Sequence, residues 1–185
     1  GADRRDPESV PEAARAGAMF AEMAGLLADA GVDLILMEMM SDPVLAVPAV
    51  RAAVATGLPV WVGFSTRPGE DGSLVSWHRP ELPIAEAIPP IMAAGGSVAG
   101  IMHTETADMG GALAILGDAW AGPRMAYPES GYFEMPHWEL GDLAPDEFAA
   151  RCLGWIDDGV QVVGGCCGVG IEHVAALAEA LQGRR

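Results

Sequence analysis

Basic residues are scarce in this sequence, and their shortage limits what the protein can bind. The 185 residues include ten arginines and lysines against 26 aspartates and glutamates, which gives a formal net charge of −16. A protein with this acidic excess repels the phosphates of DNA and RNA. We therefore expect no nucleic-acid partner.

Cysteines and long apolar runs are also few. The three cysteines, two of them adjacent, suit a reducing cytoplasm better than a secreted, disulfide-linked scaffold. A membrane-spanning helix needs roughly 20 consecutive apolar residues, and no such run occurs. The first residues also lack the apolar segment of a signal peptide. We expect a cytoplasmic protein with no membrane partner; because the chain begins without methionine, it can be a piece of a longer protein.

Apolar runs alternate regularly with amphipathic segments along the chain. With 51% hydrophobic residues the chain can bury one sizeable core, so we expect a single domain over residues 1–185. Five nearly all-apolar runs predict strands buried on both faces: 32–37, 60–64, 98–102, 124–127 and 160–163. Helical spacing, with a capping pattern at Ser9, predicts six helices that end near residues 30, 56, 94, 116, 158 and 181.

Strands that alternate with helices predict an α/β fold built from βα units on a parallel sheet. A complete (β/α)₈ barrel needs eight such units, and this chain provides five. The pattern alone leaves two architectures open: an open doubly wound sheet, or the later portion of a barrel.

Residues that can do chemistry stand where the predicted strands end. In both architectures the functional site lies at the carboxyl ends of the strands. Glu38 follows the first predicted strand, His103 follows the third, and Cys166 and Cys167 follow the last. One imidazole and two thiolates could hold a zinc ion with an open fourth position, which is typical of catalytic zinc.

The adjacent cysteines can serve one site only if the backbone bends. On a regular strand, successive side chains point to opposite faces of the sheet. Gly164, Gly165 and Gly168 flank the pair, and glycine tolerates the conformations that such a bend requires. We therefore expect both thiols to face the same point.

Three segments of the chain read as motifs. Residues 164–168 are Gly-Gly-Cys-Cys-Gly, residues 127–131 are Tyr-Pro-Glu-Ser-Gly, and residues 30–38 are Ala-Gly-Val-Asp-Leu-Ile-Leu-Met-Glu. Taken in their order along the chain, they resemble the zinc-dependent homocysteine S-methyltransferases, whose similar motifs include YPNSG and AGVDLLxxET. The double-cysteine element is the specific one, and the other two support it.

The resemblance implies a fold and a mechanism. The fold would be a partial (β/α)₈ TIM barrel of about five consecutive parallel βα units, corresponding to strands four to eight. Zinc would be the cofactor, with Cys166 and Cys167 as ligands, and it would bind the thiol of homocysteine as a thiolate. That thiolate would take a methyl group from an activated donor to give methionine. Glu38 would pair with the ammonium group of the substrate.

The sequence departs from the family's pattern at the proposed site. His103 stands where the family's GxNC motif has its third cysteine ligand, so the zinc site would carry one negative charge fewer. Glu129 replaces the asparagine of YPNSG. Nothing matches the family's opening DGxMGT-like segment. We therefore expect a fragment that is inactive alone, with the missing barrel units upstream or in another chain of an oligomer.

Plainer interpretations of the same residues stay open. Cys166 and Cys167 can be small buried hydrophobic side chains. His103 can be a hydrogen-bonded core histidine or a lost ligand, and Glu38 can be a carboxylate favoured at the start of a helix. The competing function is a degenerate, non-catalytic barrel portion that binds a metal or a partner.

Overall fold

The computed structural model of the chain describes residues 10–134, 137–141 and 143–183. The helices are α1 Ala13–Asp29, α2 Pro43–Val54, α3 Ile84–Met92, α4 Met109–Ala119, α5 Pro145–Asp157 and α6 Ile171–Gln182. The strands are β1 Ile35–Met37, β2 Val60–Phe64, β3 Thr66–Pro68, β4 Leu74–Ser76, β5 Arg79–Pro83, β6 Val98–Glu105, β7 Arg124–Glu129, β8 Gly131–Glu134, β9 His137–Leu140 and β10 Val162–Val163.

Five of the strands form one parallel sheet in the order β1-β2-β6-β7-β10. This order follows the chain without reversal, and each strand is followed by a helix before the next strand of the sheet begins. A doubly wound sheet would reverse its order at a switch point. The predicted partial barrel of five consecutive parallel βα units is therefore confirmed.

The two faces of the sheet are packed differently. Since side chains alternate along a strand, one face carries Val62, Phe64 and Ile101, which are fully buried in the hydrophobic core between sheet and helices. The opposite face, which is the inner side of a barrel, carries Gly100 opposite Met125 and Met102 opposite Tyr127. A Cβ at Gly100 would collide with the Met125 side chain, so this glycine makes room for the methionine.

The first and last described helices expose large apolar side chains. β1 and β10 are the edge strands of the sheet, and α1 precedes β1 in the sequence whereas α6 follows β10. Leu26 of α1 is 64% exposed and Ile171 of α6 is 85% exposed.

Two small antiparallel sheets were not predicted from the sequence. Strands β3, β4 and β5 form a three-stranded sheet after β2, and β8 pairs with β9 after β7. The sequence analysis assigned no element to these segments, because their strands are only three to five residues long and two of them, β3 and β5, contain proline. The strand predicted to end at residue 102 also continues to Glu105.

Helix α1 begins at Ala13, and Glu12 at its N-cap makes no side-chain capping hydrogen bond. The capping pattern predicted at Ser9 lies outside the described residues. Within the described ranges, each helix is too short or too polar to cross a membrane.

Replacing Gly100 by alanine is expected to lower the free energy of unfolding by about 1–3 kcal/mol, as overpacked positions do. The added Cβ would meet the Met125 Cγ and stand 2.8 Å from the Met125 carbonyl oxygen. Gly154 in α5 has open space around it, so Gly154→Ala serves as the matched control. It should raise stability by up to about 1 kcal/mol. Urea denaturation measures both variants, and equal stability of Gly100→Ala and the parent chain would contradict the inner-face packing.

Candidate metal centre

The loop between β10 and α6 bends both cysteines toward the end of β7. The Cys166 N–H donates to the Pro128 carbonyl at 2.8 Å, and the Ser130 N–H donates to the Cys167 carbonyl at 2.7 Å. Gly168 has φ +76°, and a Cβ there would collide with the Ser130 carbonyl oxygen. The bend places the two Sγ atoms 3.8 Å apart, as the sequence predicted for a pair serving one site.

His103 reaches the same point from a distortion in β6. Met102 of β6 pairs with Tyr127 of β7, and Glu105 pairs with Glu129. Two residues lie between these pairs on β6, but only one lies between them on β7. The extra residue is a β-bulge, which re-aims a side chain, and His103 accordingly has φ +42°. The sequence analysis placed His103 just beyond the strand, but it lies within this irregular continuation.

The three predicted ligands meet. His103 Nδ1 lies 3.9 Å from Cys166 Sγ and 3.8 Å from Cys167 Sγ, and one donor atom from each residue lies within 4.8 Å of the other two. Two sulfurs at ~2.3 Å from a tetrahedral zinc ion would be ~3.8 Å apart, and a sulfur and a nitrogen slightly closer. The spacing and the nitrogen and sulfur donor set therefore fit zinc.

The site is strongly polarised. The hydrogen bond with Cys166, and then the one with Glu129, raises the pKa of His103 to about 10. Burial alone would raise the pKa of Cys166, but the hydrogen bonds from His103 and from the Cys167 backbone lower it. Burial, followed by the charge of Cys166, raises the pKa of Cys167 to about 11. These shifts favour positive charge on the His103 ring and negative charge on Cys166 rather than on Cys167.

Two further residues contact His103 directly. Glu129 Oε2 lies 2.7 Å from His103 Nδ1, and the glutamate side chain is 6% exposed. Trp77, which follows β4, packs against the His103 ring with the ring centroids 4.7 Å apart. The sequence analysis noted Glu129 only as a departure from a motif. It missed Trp77, because the segment that carries this residue has no recognisable pattern.

Glu38 is exposed and lies directly after β1 at the same edge of the sheet. The structure connects it with the site through Tyr127, whose pKa is raised first by burial and then by the charges of Glu38 and Cys166. Among the described residues, the buried Tyr127 hydroxyl has no hydrogen-bond partner. The substrate-binding role of Glu38 stays a prediction.

Alkylation of the metal-free protein should distinguish its three cysteines. Since the thiolate is the reactive form, Cys166 with its lowered pKa is expected to react with iodoacetamide at pH 8 before Cys167. Cys152 is fully buried, and burial raises its pKa to about 12, so it should stay unmodified. His103→Ala should slow the reaction of Cys166. Peptide mass spectrometry measures each site, and faster labelling of Cys167 in the parent chain would contradict the proposed polarity.

Of the three cysteines, only Cys166 and Cys167 should be needed for zinc binding. Cys166→Ser is expected to abolish stoichiometric zinc after reconstitution, because a serine hydroxyl is a poor substitute for a thiolate ligand. Cys152→Ala, in the core and outside the cluster, is the control and should retain the metal. Inductively coupled plasma mass spectrometry of gel-filtered protein gives the ratio. Unchanged zinc in Cys166→Ser would show that the metal binds elsewhere.

Curated relatives and a solved structure match most of this chain but only part of their own length. Homocysteine S-methyltransferase 4 from Zea mays is 26% identical over 164 residues, covering 85% of this chain and 46% of the relative. Selenocysteine Se-methyltransferase from Brassica oleracea var. italica is 26% identical over 167 residues, with coverages of 86% and 46%. The chain therefore spans about half the length of these relatives.

The fold resembles that of the homocysteine methyltransferase MmuM from Escherichia coli. Its apo form aligns with a TM-score of 0.68 at 20% identity, covering 94% of this chain and 59% of that one. This likeness supports the partial barrel. The sequence model of the family described as homocysteine S-methyltransferase matches residues 5–181. Because that match extends over nearly the whole sequence, the chain belongs to the homocysteine S-methyltransferase family.

Proposed function

We propose that this chain is the thiol-activating portion of an enzyme that transfers a methyl group from an activated donor to homocysteine, giving methionine. The convergence of His103, Cys166 and Cys167 at one point carries this proposal. It lies at the carboxyl ends of parallel strands, which is where barrel enzymes have their active sites. Membership of the family supports the reaction class.

The donor set determines which chemistry is possible. His103, Cys166 and Cys167 would hold zinc and leave one position for the substrate sulfur. Bound zinc would lower the pKa of the homocysteine thiol, which is otherwise near ~8.5, so that the thiolate forms at neutral pH. The substrate sulfur would then form the new sulfur–carbon bond while the donor's leaving group departs with its electron pair. The reduced thiols that this requires suit the cytoplasm.

The chain's own residues would orient the amino-acid substrate. Homocysteine carries an ammonium group, and the exposed carboxylate of Glu38 would pair with it at the same edge of the sheet. The Tyr127 hydroxyl lies within electrostatic range of both Glu38 and Cys166. The Trp77 ring covers one side of His103, so it would help to exclude water from the reacting sulfur.

Turnover would need the rest of the barrel. β1 and β10 are the edge strands of an open sheet, and the units that would pair with them would also enclose the substrate. Correct orientation of reactants can contribute ~7–11 kcal/mol toward lowering a barrier. We propose that the missing units come from an upstream segment or another chain, and that the 185 residues alone are inactive.

Methionine formation tests the proposed reaction. The zinc-loaded chain is incubated with homocysteine and with S-methylmethionine or betaine as donor, alone and joined to the upstream segment of its parent reading frame. Mass spectrometry should detect methionine only from the longer protein, and Cys167→Ser in that protein should abolish it. Absence of methionine from both would favour the non-catalytic barrel portion. Full turnover by the 185 residues would refute the need for further units.

The role of Glu38 can be tested by binding alone. Glu38→Gln is expected to weaken homocysteine binding to the zinc-loaded protein by about tenfold, as loss of an ion pair of ~1.4 kcal/mol would. 3-Mercaptopropionate has a thiol and a carboxylate but no ammonium group, so its affinity should change little. Isothermal titration calorimetry measures both ligands. An equal loss for the two would contradict an ammonium contact.

A further inference from the structure

We propose that His103 and Glu129 act as one unit in the metal centre, in which the carboxylate supplies the negative charge that the imidazole ring lacks. Glu129 would act by its charge, because its carboxylate lies at the same Nδ1 edge of His103 that faces the two thiols. The inference deepens the proposed function and rests on its assignment of His103 as a metal ligand. It is based on the contact between Glu129 and His103, which neither the sequence motifs nor the spacing of the three ligands reveals.

Glu129 and His103 are held against each other inside the protein. Glu129 Oε2 lies 2.7 Å from His103 Nδ1, and the two side chains are 6% and 16% exposed. The backbone around Glu129 is anchored on both sides. Its carbonyl accepts a hydrogen bond from Thr106 Oγ1 at 2.9 Å, and the next N–H, that of Ser130, donates to Cys167. The carboxylate is thus fixed between the histidine strand and the cysteine loop.

A buried carboxylate must have a positive partner. Removing a carboxylate from water costs several kcal/mol unless a cation or good hydrogen bonds compensate. The partner within reach of Glu129 is the Nδ1 edge of His103, and that edge also faces Cys166 Sγ and Cys167 Sγ. The charge of Glu129 therefore acts on any cation between His103 Nδ1 and the two sulfur atoms. That cation can be the proton on the ring nitrogen or a bound metal ion.

The charge balance of the centre explains what the unit would do. Two thiolates and a neutral imidazole just balance the two positive charges of zinc. Glu129 adds one further negative charge, so that the His103–Glu129 unit carries the charge of a single thiolate. A carboxylate at the metal-facing edge of the ring would offset part of the metal's positive charge directly. The substrate thiolate would then keep more of its own electron density and remain a better nucleophile.

Zinc affinity in a double-mutant cycle tests whether the two residues act as one unit. Affinity is measured by competition with a chromophoric chelator for the parent chain, Glu129→Gln, His103→Cys and the double variant. Glu129→Gln should weaken zinc binding 10- to 100-fold in the parent. In the His103→Cys background the same change should cost less than threefold, because cysteine brings its own charge. An equal loss in both backgrounds, or none in the parent, would overturn the proposal.

A neighbouring carboxylate serves as the control. Glu105 is exposed and stands opposite Glu129 in the register of β6 and β7, so Glu105→Gln removes the same charge from the same pair of strands. It should change zinc affinity by less than twofold; an effect as large as that of Glu129→Gln would overturn the specific role of Glu129. Circular dichroism checks that each variant is folded.

Two further measurements keep the outcome decisive. If Glu129→Gln does not fold, Glu129→Asp replaces it, and its retained charge should preserve zinc affinity within about tenfold; a larger loss in folded Glu129→Asp would count against the proposal.

Cobalt-substituted protein gives an independent signal, since the thiolate-to-cobalt absorption band should shift in Glu129→Gln and not in Glu105→Gln. A parent chain that binds no zinc would defeat the proposed function, whereas zinc binding without coupling would defeat only this inference.

Discussion

Two backbone hydrogen bonds, from Cys166 to Pro128 and from Ser130 to Cys167, connect the cysteine loop to the end of β7. The rest of the site depends on this connection. Adjacent residues on a straight strand cannot present both side chains to one side, and these bonds hold the chain in a bend where they can. Gly168 allows the close approach because a Cβ would occupy the position of the Ser130 carbonyl oxygen.

The same connection makes the site electrostatically sensitive. Once the two thiols lie 3.8 Å apart, both cannot become thiolates without a cation between them, since like charges at this distance repel strongly. The hydrogen bonds of His103 with Cys166 and with Glu129 raise the pKa of its ring to about 10. The arrangement that stabilises an imidazolium would also stabilise a divalent metal ion. The fold thus creates a place for positive charge, and the donor atoms select the kind of ion.

The open sheet accounts for how exposed the substrate side of this site is. Five sequential strands form an arc whose inner face is filled near the middle by Met102 and Met125. The inner face is less buried toward β1. Leu36 pairs with Trp61 and therefore lies on the same face as Met102, and it is 39% exposed. The candidate metal centre lies at the other side of the arc, on β6, β7 and the loop after β10, whereas Glu38 follows the edge strand β1.

Much of the fold could be predicted from the sequence, because parallel strands buried on both faces leave long apolar runs and the intervening helices show their own period. The antiparallel pieces could not, since β3 and β5 are short and contain proline. Among site residues, His103 and the two cysteines could be predicted from their positions at strand ends together with a motif. Trp77 could not, because its contact with His103 joins segments with no shared pattern.

The sequence by itself determined the order of the βα units, the edge of the sheet at which chemistry is possible, and the kinds of donor atom present there. Only the tertiary structure decided that these donors meet. The bulge that turns His103 toward the thiols depends on the pairing of β6 with β7, and the contact of Glu129 with the ring depends on the same pairing. Distances across neighbouring strands are set by register, and register arises from packing of the whole sheet rather than from any local run of residues.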